Sequence, residues 1–251
     1  MRVLLGDGTG SFGAKNDFPT GAAPDSIAFG DFNVDGHLDL AIANATDQNI
    51  SVLFGDGAGS FGPKNDFPTG TDPQGVVSAD LNGDGHLDLA VANNTADTVS
   101  VLLGTSAGTF AAKQDFPTAH LPVLIAAADL DGDGHLDLAI GNNDGHVSIL
   151  LGTGTGTLGP KTDVSTGTGA RAVAVADFNR DGIPDLVVAN FNANTVSVLL
   201  GTGTGTFGRQ TDFPAGTNPV ALATAHLDTD GFTDVAVANF NGSSISVLLG
   251  D

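Results

Sequence analysis

Residues 31–44, DFNVDGHLDLAIAN, decide the fold of this 251-residue chain because the same pattern returns four more times. The next copy is DLNGDGHLDLAVAN at residues 80–93, and further copies begin at Asp129, Asp177 and His226. Successive copies therefore start 48 or 49 residues apart. Repetition at a fixed period of this length is typical of an array of similar structural units.

Two further segments repeat with the same period and complete the unit. ISVLFG at residues 50–55 returns four times as a close variant, and FGPKNDF at residues 61–67 has counterparts beginning at residues 12, 110, 158 and 207. Together with the apolar run before each Asp motif, they give four short strands separated by Gly, Asn, Asp and Pro. Four strands in about 45–50 residues are typical of a propeller blade.

We therefore predict an all-β fold, a single domain over residues 1–251 that forms a five-bladed β-propeller with four-stranded antiparallel blades. The repeat units are approximately residues 12–60, 61–109, 110–157, 158–206 and 207–251, and residues 1–11 hold a surplus N-terminal strand. The strand total is 21. The alternative is a parallel β-helix, which GTGTGTFG superficially resembles, but that fold requires a short dominant period.

The two ends of the chain carry copies of the same strand. RVLLG at residues 2–6 matches the third strand of a blade, and residues 12–18 match the fourth strand. In a closed ring, residues 12–18 complete the last blade by pairing of the N- and C-terminal strands, which leaves RVLLG without a place. Three alternatives stay open: RVLLG is displaced, the chain is a fragment of a longer array, or RVLLG pairs with a neighbouring molecule.

The repeated motif Asp-x-Asn/Asp-x-Asp-Gly-x-x-Asp has the ligand spacing of a calcium loop. Calcium prefers about six to eight oxygen ligands, and oxygens at alternate positions of a tight loop can converge on one point. In the first copy the ligands are the side chains of Asp31, Asn33, Asp35 and Asp39 and the backbone carbonyl of His37.

The other copies place equivalent oxygens at the same spacing. The predicted ligands are Asp80, Asn82, Asp84, His86 (carbonyl) and Asp88; Asp129, Asp131, Asp133, His135 (carbonyl) and Asp137; Asp177, Asn179, Asp181, Ile183 (carbonyl) and Asp185; and Asp228, Asp230, Phe232 (carbonyl) and Asp234. His226 replaces the first acid of the fifth copy, so we predict four strong Ca²⁺ sites and a weaker fifth. The alternative, Asp-rich turns without metal, leaves the repulsion among the carboxylates without an offset.

The composition excludes several classes of function. All 29 acidic residues are Asp, and the net charge of -21 argues against binding to nucleic acid or to an anionic membrane. The sequence lacks Cys, and no apolar stretch has the length of a membrane span. No nucleophile and base recur at a fixed spacing, so we predict that the protein is not an enzyme.

The Asp motif followed by ISVLFGDGAGSF resembles the FG-GAP/VCBS repeats of integrin-α-type propellers and of many bacterial surface proteins. The resemblance implies an extracellular or cell-surface location and a calcium-stabilised propeller used in adhesion, glycan binding or scaffolding. Propellers of the integrin type usually have seven blades, whereas this chain has repeats for five.

From these features we predict a structural or assembly protein that self-associates through its terminal strands. The alternative is an adhesion or lectin-like module with a protein or glycan ligand. The lack of Trp and Tyr argues against a site that stacks sugars on aromatic rings.

Overall fold

The computed structural model describes all 251 residues and contains only β-strands and one 3₁₀ turn at Asn94–Ala96. The strands are β1 Arg2–Val3, β2 Asn16–Asp17, β3 Pro24–Gly30, β4 Asp39–Asn44, β5 Asn49–Leu53, β6 Asn65–Pro68, β7 Pro73–Ala79, β8 Asp88–Asn93, β9 Thr98–Leu102, β10 Gln114–Pro117, β11 Pro122–Ala128, β12 Asp137–Asn142, β13 His146–Leu150, β14 Thr162–Ser165, β15 Ala170–Ala176, β16 Asp185–Asn190, β17 Thr195–Leu199, β18 Thr211–Pro214, β19 Pro219–Ala225, β20 Asp234–Asn239 and β21 Ser244–Leu248. The predicted strand total of 21 is confirmed. No helix has the length and apolar character needed to cross a membrane.

The strands form consecutive antiparallel sheets that correspond to the predicted blades. Blades 1 to 4 are the four-stranded sheets β3–β6, β7–β10, β11–β14 and β15–β18, and blade 5 is the three-stranded sheet β19–β21. All residues of the second strand are buried in blades 1 to 4. Burial on both faces explains why this strand is a continuous apolar run between its terminal Asp and Asn.

The first strands of neighbouring blades pack against each other in chain order, β3 on β7, β7 on β11, β11 on β15 and β15 on β19. Ser78 Oγ in blade 2 donates a hydrogen bond to the Phe29 carbonyl in blade 1 at 2.7 Å. A Cβ atom at Gly75 would lie 2.3 Å from the Val123 carbonyl oxygen of blade 3, so this close approach requires glycine. Apolar clusters fill the space between adjacent blades and form the core.

The chain ends differ from the sequence prediction. Residues 12–18 do not complete the last blade: β21 has β20 as its one neighbour in the sheet, and β2 pairs with β1. Arg2 lies opposite Asp17 and Val3 opposite Asn16 in this pair. RVLLG is therefore the partner of the fourth strand rather than a surplus copy.

Loop-closure entropy favours the pairing of β2 with β1 over its pairing with β21. Pairing β1 with β2 closes a hairpin between residues 15 apart, whereas pairing β2 with β21 brings together segments from opposite ends of the chain. The β1–β2 hairpin, which we call the N-terminal half-blade, packs on blade 1. There the Phe18 ring meets the Phe61 ring edge to face at 5.3 Å.

The antiparallel order of strands gives the molecule two distinct faces. The connections from first to second strand and from third to fourth strand lie on one side, which we call the loop face. The connections from second to third strand and from one blade to the next lie on the opposite side, which we call the turn face. The five predicted calcium loops all lie on the loop face.

Candidate metal centre

Each Asp-rich loop is a tight turn whose backbone N–H groups point at its carboxylates. In the first loop, Gly36 N–H donates to Asp31 Oδ2 at 2.8 Å, and His37 N–H donates to Asp35 Oδ1 at 2.8 Å. Gly36 has a φ of 86°, a conformation that glycine adopts without strain. The loop therefore gathers acidic side chains around one turn, as the spacing of the motif predicts.

The last acid of the motif is fully buried and ties the loop to the end of the third strand. In blade 3, Asp137 Oδ2 accepts the Leu130 N–H at 2.8 Å and Oδ1 accepts the Gly152 N–H at 2.7 Å. The same pair of bonds recurs at the equivalent acids, Asp39, Asp88, Asp185 and Asp234.

Sequence reasoning missed the glycine that makes this contact. A Cβ atom at Gly152 would lie 2.2 Å from the Leu136 carbonyl oxygen, so the third strand reaches Asp137 only if a glycine stands there. The signal is present in the sequence, because each of the five third-strand segments ends in glycine.

The third loop brings three predicted ligands closest together. Carboxylate oxygens of Asp129, Asp131 and Asp137 lie within 4.8 Å of one another. Asp133 is outside this cluster, and its Oδ1 accepts the His135 N–H at 2.8 Å. No other group of three acidic or histidine side chains converges to this distance.

Loops 1, 2 and 4 have an amide in place of the central carboxylate. Asn33, Asn82 and Asn179 each donate a side-chain hydrogen bond to the Asp two residues later, at 2.9, 3.1 and 2.9 Å. The amide oxygen of each Asn accepts the backbone N–H of that Asp. These loops therefore hold fewer negative charges than loop 3 but keep an oxygen donor at the third position.

Burial and like charges make the last acid costly to ionise. Burial raises the pKa of Asp137, and the carboxylates of Asp131 and Asp133 raise it further, although two backbone N–H groups oppose the rise. The pKa values of the equivalent acids in the other complete blades, Asp39, Asp88 and Asp185, are raised for the same reasons. A divalent cation would relieve this repulsion.

The chemistry of these residues fits a hard cation. Carboxylate, amide and carbonyl oxygens at positions 1, 3, 5, 7 and 9 are the donor types that calcium prefers. Asp177 Oδ1 in the fourth loop is buried without a hydrogen-bond partner from the protein, so it has a lone pair free for a ligand. Loops 1 to 4 could therefore hold calcium with the residues that the sequence predicts.

The fifth loop has nitrogen donors where the others have oxygen acceptors. His226 Nδ1 lies 2.7 Å from the carbonyl oxygen of Phe232, the backbone ligand that the sequence predicts for this site. Arg180 from loop 4 donates to the Asp230 carbonyl at 3.2 Å, and its guanidinium carbon lies 3.7 Å from the centroid of the Phe232 ring. Two backbone N–H groups lower the pKa of Asp234 here. The loop is thus held by protein donors instead of a convergent oxygen shell.

The loops also lie at the junctions between blades. The Gly156 N–H of blade 3 donates to the Leu81 carbonyl of loop 2 at 3.2 Å, and the Gly205 N–H of blade 4 donates to the Leu130 carbonyl of loop 3 at 3.2 Å. The hairpin between the third and fourth strands therefore rests on the loop of the preceding blade. A change in one loop acts directly on its neighbour.

Solved structures share this architecture at low sequence identity. A lectin from Agrocybe aegerita that recognises non-reducing terminal N-acetylglucosamine has a TM-score of 0.62 at 18% identity, with 100% of this chain and 74% of that chain covered. BBS1N, solved in complex with ARL6DN, has a TM-score of 0.58 at 16% identity, with 88% and 64% covered. Hydrazine synthase from Kuenenia stuttgartiensis has a TM-score of 0.60 at 14% identity, with 96% and 68% covered.

These three structures are similar to this chain in fold, and they belong to proteins of different kinds. A search of curated proteins finds no match to the sequence. The family model for the FG-GAP-like repeat matches five overlapping segments, residues 1–42, 32–91, 80–140, 129–188 and 177–237. These segments span nearly the whole chain and contain all five Asp-rich loops, and the chain therefore belongs to the FG-GAP-like repeat family.

Proposed function

We propose that this protein is an extracellular, calcium-stabilised propeller that acts by assembly or surface interaction rather than by catalysis. The observation that carries the assembly role is an empty apolar slot beside blade 5, together with an exposed segment of the same chain whose sequence matches that slot. The calcium role is supported by the oxygen-rich loops of blades 1 to 4.

The slot is a cavity of about 280 Å³ between blades 4 and 5, and Phe178, Phe213 and Leu248 are among its lining residues. The equivalent space between blades 1 and 2 contains Phe110, whose ring lies 5.9 Å from that of Phe32 and 5.0 Å from that of Phe67. Phe178 and Phe213 are the counterparts of Phe32 and Phe67. The residues that line the slot therefore correspond to those that surround the Phe110 side chain between blades 1 and 2.

The N-terminal half-blade offers the matching phenylalanine. Phe12 is the repeat counterpart of Phe110 and is 69% exposed. The register of β5 with β6, where Ile50 faces Phe67, predicts that a fourth strand on β21 would place Phe18 opposite Ile245. Ile245 is 74% exposed.

We assign the donor of this strand to a second copy, because Phe18 of the same chain already packs on Phe61 of blade 1. Residues 12–18 of one molecule would then pair with β21 of the next. Such head-to-tail contacts build open chains unless the rotation closes them into a ring.

The test is molar mass by light scattering after size exclusion, in millimolar calcium, over a range of protein concentrations. We expect oligomers for the wild type and a shift toward the 25.0 kDa monomer for Phe12→Ser. Phe240→Ser is the matched control, because Phe240 is 68% exposed but lies on the turn face. A single 25.0 kDa species at every concentration would overturn the assembly proposal.

Calcium binding is tested separately by calorimetric titration and by thermal unfolding with and without a chelator. Each site stabilises the folded state by about 2.7 kcal/mol when calcium is 100-fold above its dissociation constant. We expect Asp129→Asn, at a position that is Asp in all four loops, to weaken binding at one site, and Asp251→Asn, an equal change of charge at an exposed position, to leave binding unchanged. Equal unfolding temperatures in calcium and chelator would exclude a stabilising role.

The same loops support the proposed extracellular location. Calcium modules outside cells bind with dissociation constants of about 10⁻⁴–10⁻³ M, which are useful where calcium is millimolar. Without Cys, the chain needs neither an oxidising nor a reducing compartment to fold. Immunolabelling of intact and permeabilised cells distinguishes a surface location from an internal one.

A second candidate is a glycan-binding or adhesion module. The similarity in fold to the Agrocybe aegerita lectin favours it over other interaction roles. A glycan array screened in millimolar calcium tests the glycan-binding form of this candidate, and an array without binding would exclude that form.

A further inference from the structure

A cavity on the turn face is lined by the first strands of all five blades. Its volume is about 260 Å³, and its lining residues are Asp25, Gln74, Val123, Leu124, Arg171 and Val220. All of these except Leu124 are the second residue of their strand, in β3, β7, β11, β15 and β19 respectively. Because every blade contributes one residue at the same level, the cavity is the mouth of the axial channel.

The channel mouth differs chemically from blade to blade, although other positions are repeated without change. The last loop acid is Asp in all five blades, and the last residue of the second strand is Asn in all five. At the channel mouth the five side chains are instead one carboxylate, one amide, one guanidinium and two Val. The five repeats therefore contribute chemically different side chains to one cavity.

Arg171 is the cation of this set, and it lacks an ion-pair partner. Five of the eight basic residues form ion pairs with Asp, but Arg171 forms neither an ion pair nor a hydrogen bond in a chain with 29 Asp residues. Its Nε is buried without a hydrogen-bond partner. The two terminal nitrogens of Arg171 are not buried in this way, so they are the donors that a ligand in the cavity can reach.

Phe191 fixes the position of the Arg171 head group. The guanidinium carbon lies 4.4 Å from the centroid of the Phe191 ring, in the stacked arrangement that arginine adopts on aromatic faces. A guanidinium held in this way presents a fixed fork of N–H donors. Carboxylates accept such a fork through two parallel hydrogen bonds.

The other lining residues narrow the class of ligand. The Asp25 carboxylate lines the cavity and can accept hydrogen bonds from hydroxyl groups, whereas it repels a second carboxylate. Gln74 can both donate and accept, and Val123 and Val220 offer apolar contact. A ligand that complements all of these residues has one carboxylate, several hydroxyl groups and a small ring whose C–H groups can contact the two Val side chains.

We propose that the channel mouth binds a carboxylate-bearing sugar, of the uronic acid class, with Arg171 on the carboxylate and Asp25 and Gln74 on the hydroxyls. This inference rests on the interaction role in the proposed function, but on neither the assembly slot nor the calcium loops, since it concerns the opposite face of the molecule. An acidic peptide is disfavoured because it offers few hydroxyl groups to Asp25.

The test is an NMR-detected titration in millimolar calcium with methyl β-D-glucuronide and, as matched ligand, its methyl ester. We expect the ester to bind at least about tenfold more weakly, because it loses the charged hydrogen bonds to Arg171. Arg171→Ala should weaken binding of the acid by a similar factor, and Arg171→Lys should retain part of it.

Arg209→Ala is the matched control, because Arg209 is exposed, forms no ion pair and lies outside the cavity. The proposal is overturned if the ester binds as well as the acid, if Arg171→Ala and Arg171→Lys both bind normally, or if the dipeptide Asp-Asp binds in place of the sugar. If chelator abolishes both sugar binding and the NMR signals of the folded protein, the result bears on calcium stabilisation and not on the sugar site. If the folded protein in calcium does not bind the sugar, the sugar site itself is contradicted.

Discussion

His226 changes the chemistry of the fifth loop by turning an acceptor into a donor. In the other loops the first residue is an Asp whose oxygens accept backbone N–H groups, whereas His226 donates to the Phe232 carbonyl. The imidazole N–H thus satisfies the oxygen that a cation would otherwise bind. A single substitution therefore removes one carboxylate from this loop and supplies a hydrogen-bond donor in its place.

Restoring the acid should restore the site. We expect His226→Asp to bind one more calcium ion per chain than the wild type, as measured by equilibrium dialysis or calorimetry, because it frees the Phe232 carbonyl and adds a carboxylate. His226→Ala removes the hydrogen bond without adding a ligand and should bind no additional ion. An unchanged stoichiometry in His226→Asp would contradict the role of His226 in excluding the cation.

The buried loop acids give stability a dependence on pH that calcium should reverse. Asp39, Asp88, Asp137 and Asp185 have raised pKa values in the folded state, so the folded protein binds their protons more tightly than the unfolded chain does. In chelator, their contribution to stability falls as pH rises above the ordinary value of 3.8 through the raised folded values. In saturating calcium, which requires the ionised form, stability should rise with pH instead.

The measurement is the unfolding temperature between about pH 4 and about pH 7, with calcium and with chelator. Acids with lowered pKa values, such as Asp35 and Asp84, lose their favourable contribution only below 3.8, outside this window. Parallel profiles in calcium and in chelator would contradict calcium binding at these acids.

At this scale the sequence predicts much of the site. The alternating oxygen positions and the poor ligand at His226 follow from residue type and spacing. The bond from His226 to Phe232 and the reach of Arg180 across to the next loop do not, because they depend on side-chain conformations that only the packed blades define.

Within each complete blade, a polar chain crosses the sheet through its core. In blade 3, Asn142 Nδ2 donates to Ser148 Oγ at 3.0 Å, and Ser148 Oγ donates to Asp163 Oδ1 at 2.7 Å. These two hydrogen bonds join the second, third and fourth strands, and equivalent pairs of bonds recur in blades 1, 2 and 4. They fix the strand register in sheets whose apolar side chains are nearly interchangeable.

Removing the hydroxyl should therefore cost more in a complete blade than in blade 5. We expect Ser148→Ala to lower the free energy of unfolding by about 1–3 kcal/mol, because it leaves buried polar groups unpaired. Ser246→Ala is the matched control, since Ser246 bonds Asn239 but lacks the Asp of a fourth strand. Urea denaturation measures the free energy of unfolding of both variants. Equal decreases in Ser148→Ala and Ser246→Ala would argue against a stabilising role for the hydrogen bond from Ser to the Asp of the fourth strand.

The strands and their order were predictable because each element is repeated five times with the same alternation of turn residues and apolar runs. The contact of the Asn at the end of the second strand was not predictable: its side chain donates to the Ser in the middle of the third strand. That partner lies across the sheet, so its distance along the sequence gives no direct sign of the contact.

At the scale of the whole molecule, contacts on the loop face link neighbouring blades. In blades 3 and 4 the hairpin from third to fourth strand is bonded to the preceding loop, by Gly156 to Leu81 and by Gly205 to Leu130. If calcium fixes the loops, it also fixes the junctions between blades. The second strands, buried in the centre of each blade, are held by their own sheets.

Removal of calcium should loosen junctions before blades. We expect chelator to speed hydrogen exchange of the Gly156 and Gly205 amides by at least about tenfold more than that of the Ala139 amide inside a second strand. Exchange detected by NMR or mass spectrometry measures both. A uniform change at all sites would indicate that the blades and junctions open as one unit.

The arrangement of the chain ends shows where the repeat pattern stops being informative. Residues 12–18 carry the same fourth-strand sequence whichever third strand they join, so the sequence cannot choose between β1 and β21. The choice depends on the relative free energies of two pairings of one segment. Local hairpin closure favours β1 in the structure, and a second molecule offers β21 at a concentration-dependent cost.

Interchangeable junctions also affect how such a gene can change. The bond that joins blade 2 to blade 3 has an equivalent between blades 3 and 4. Deletion of the 48 or 49 residues between equivalent positions would therefore bring together two blades whose contact residues still match. Unequal recombination between the repeats would then shorten or lengthen the protein by whole blades without creating an unmatched interface. Blade number is thereby open to selection as a single-step heritable variable.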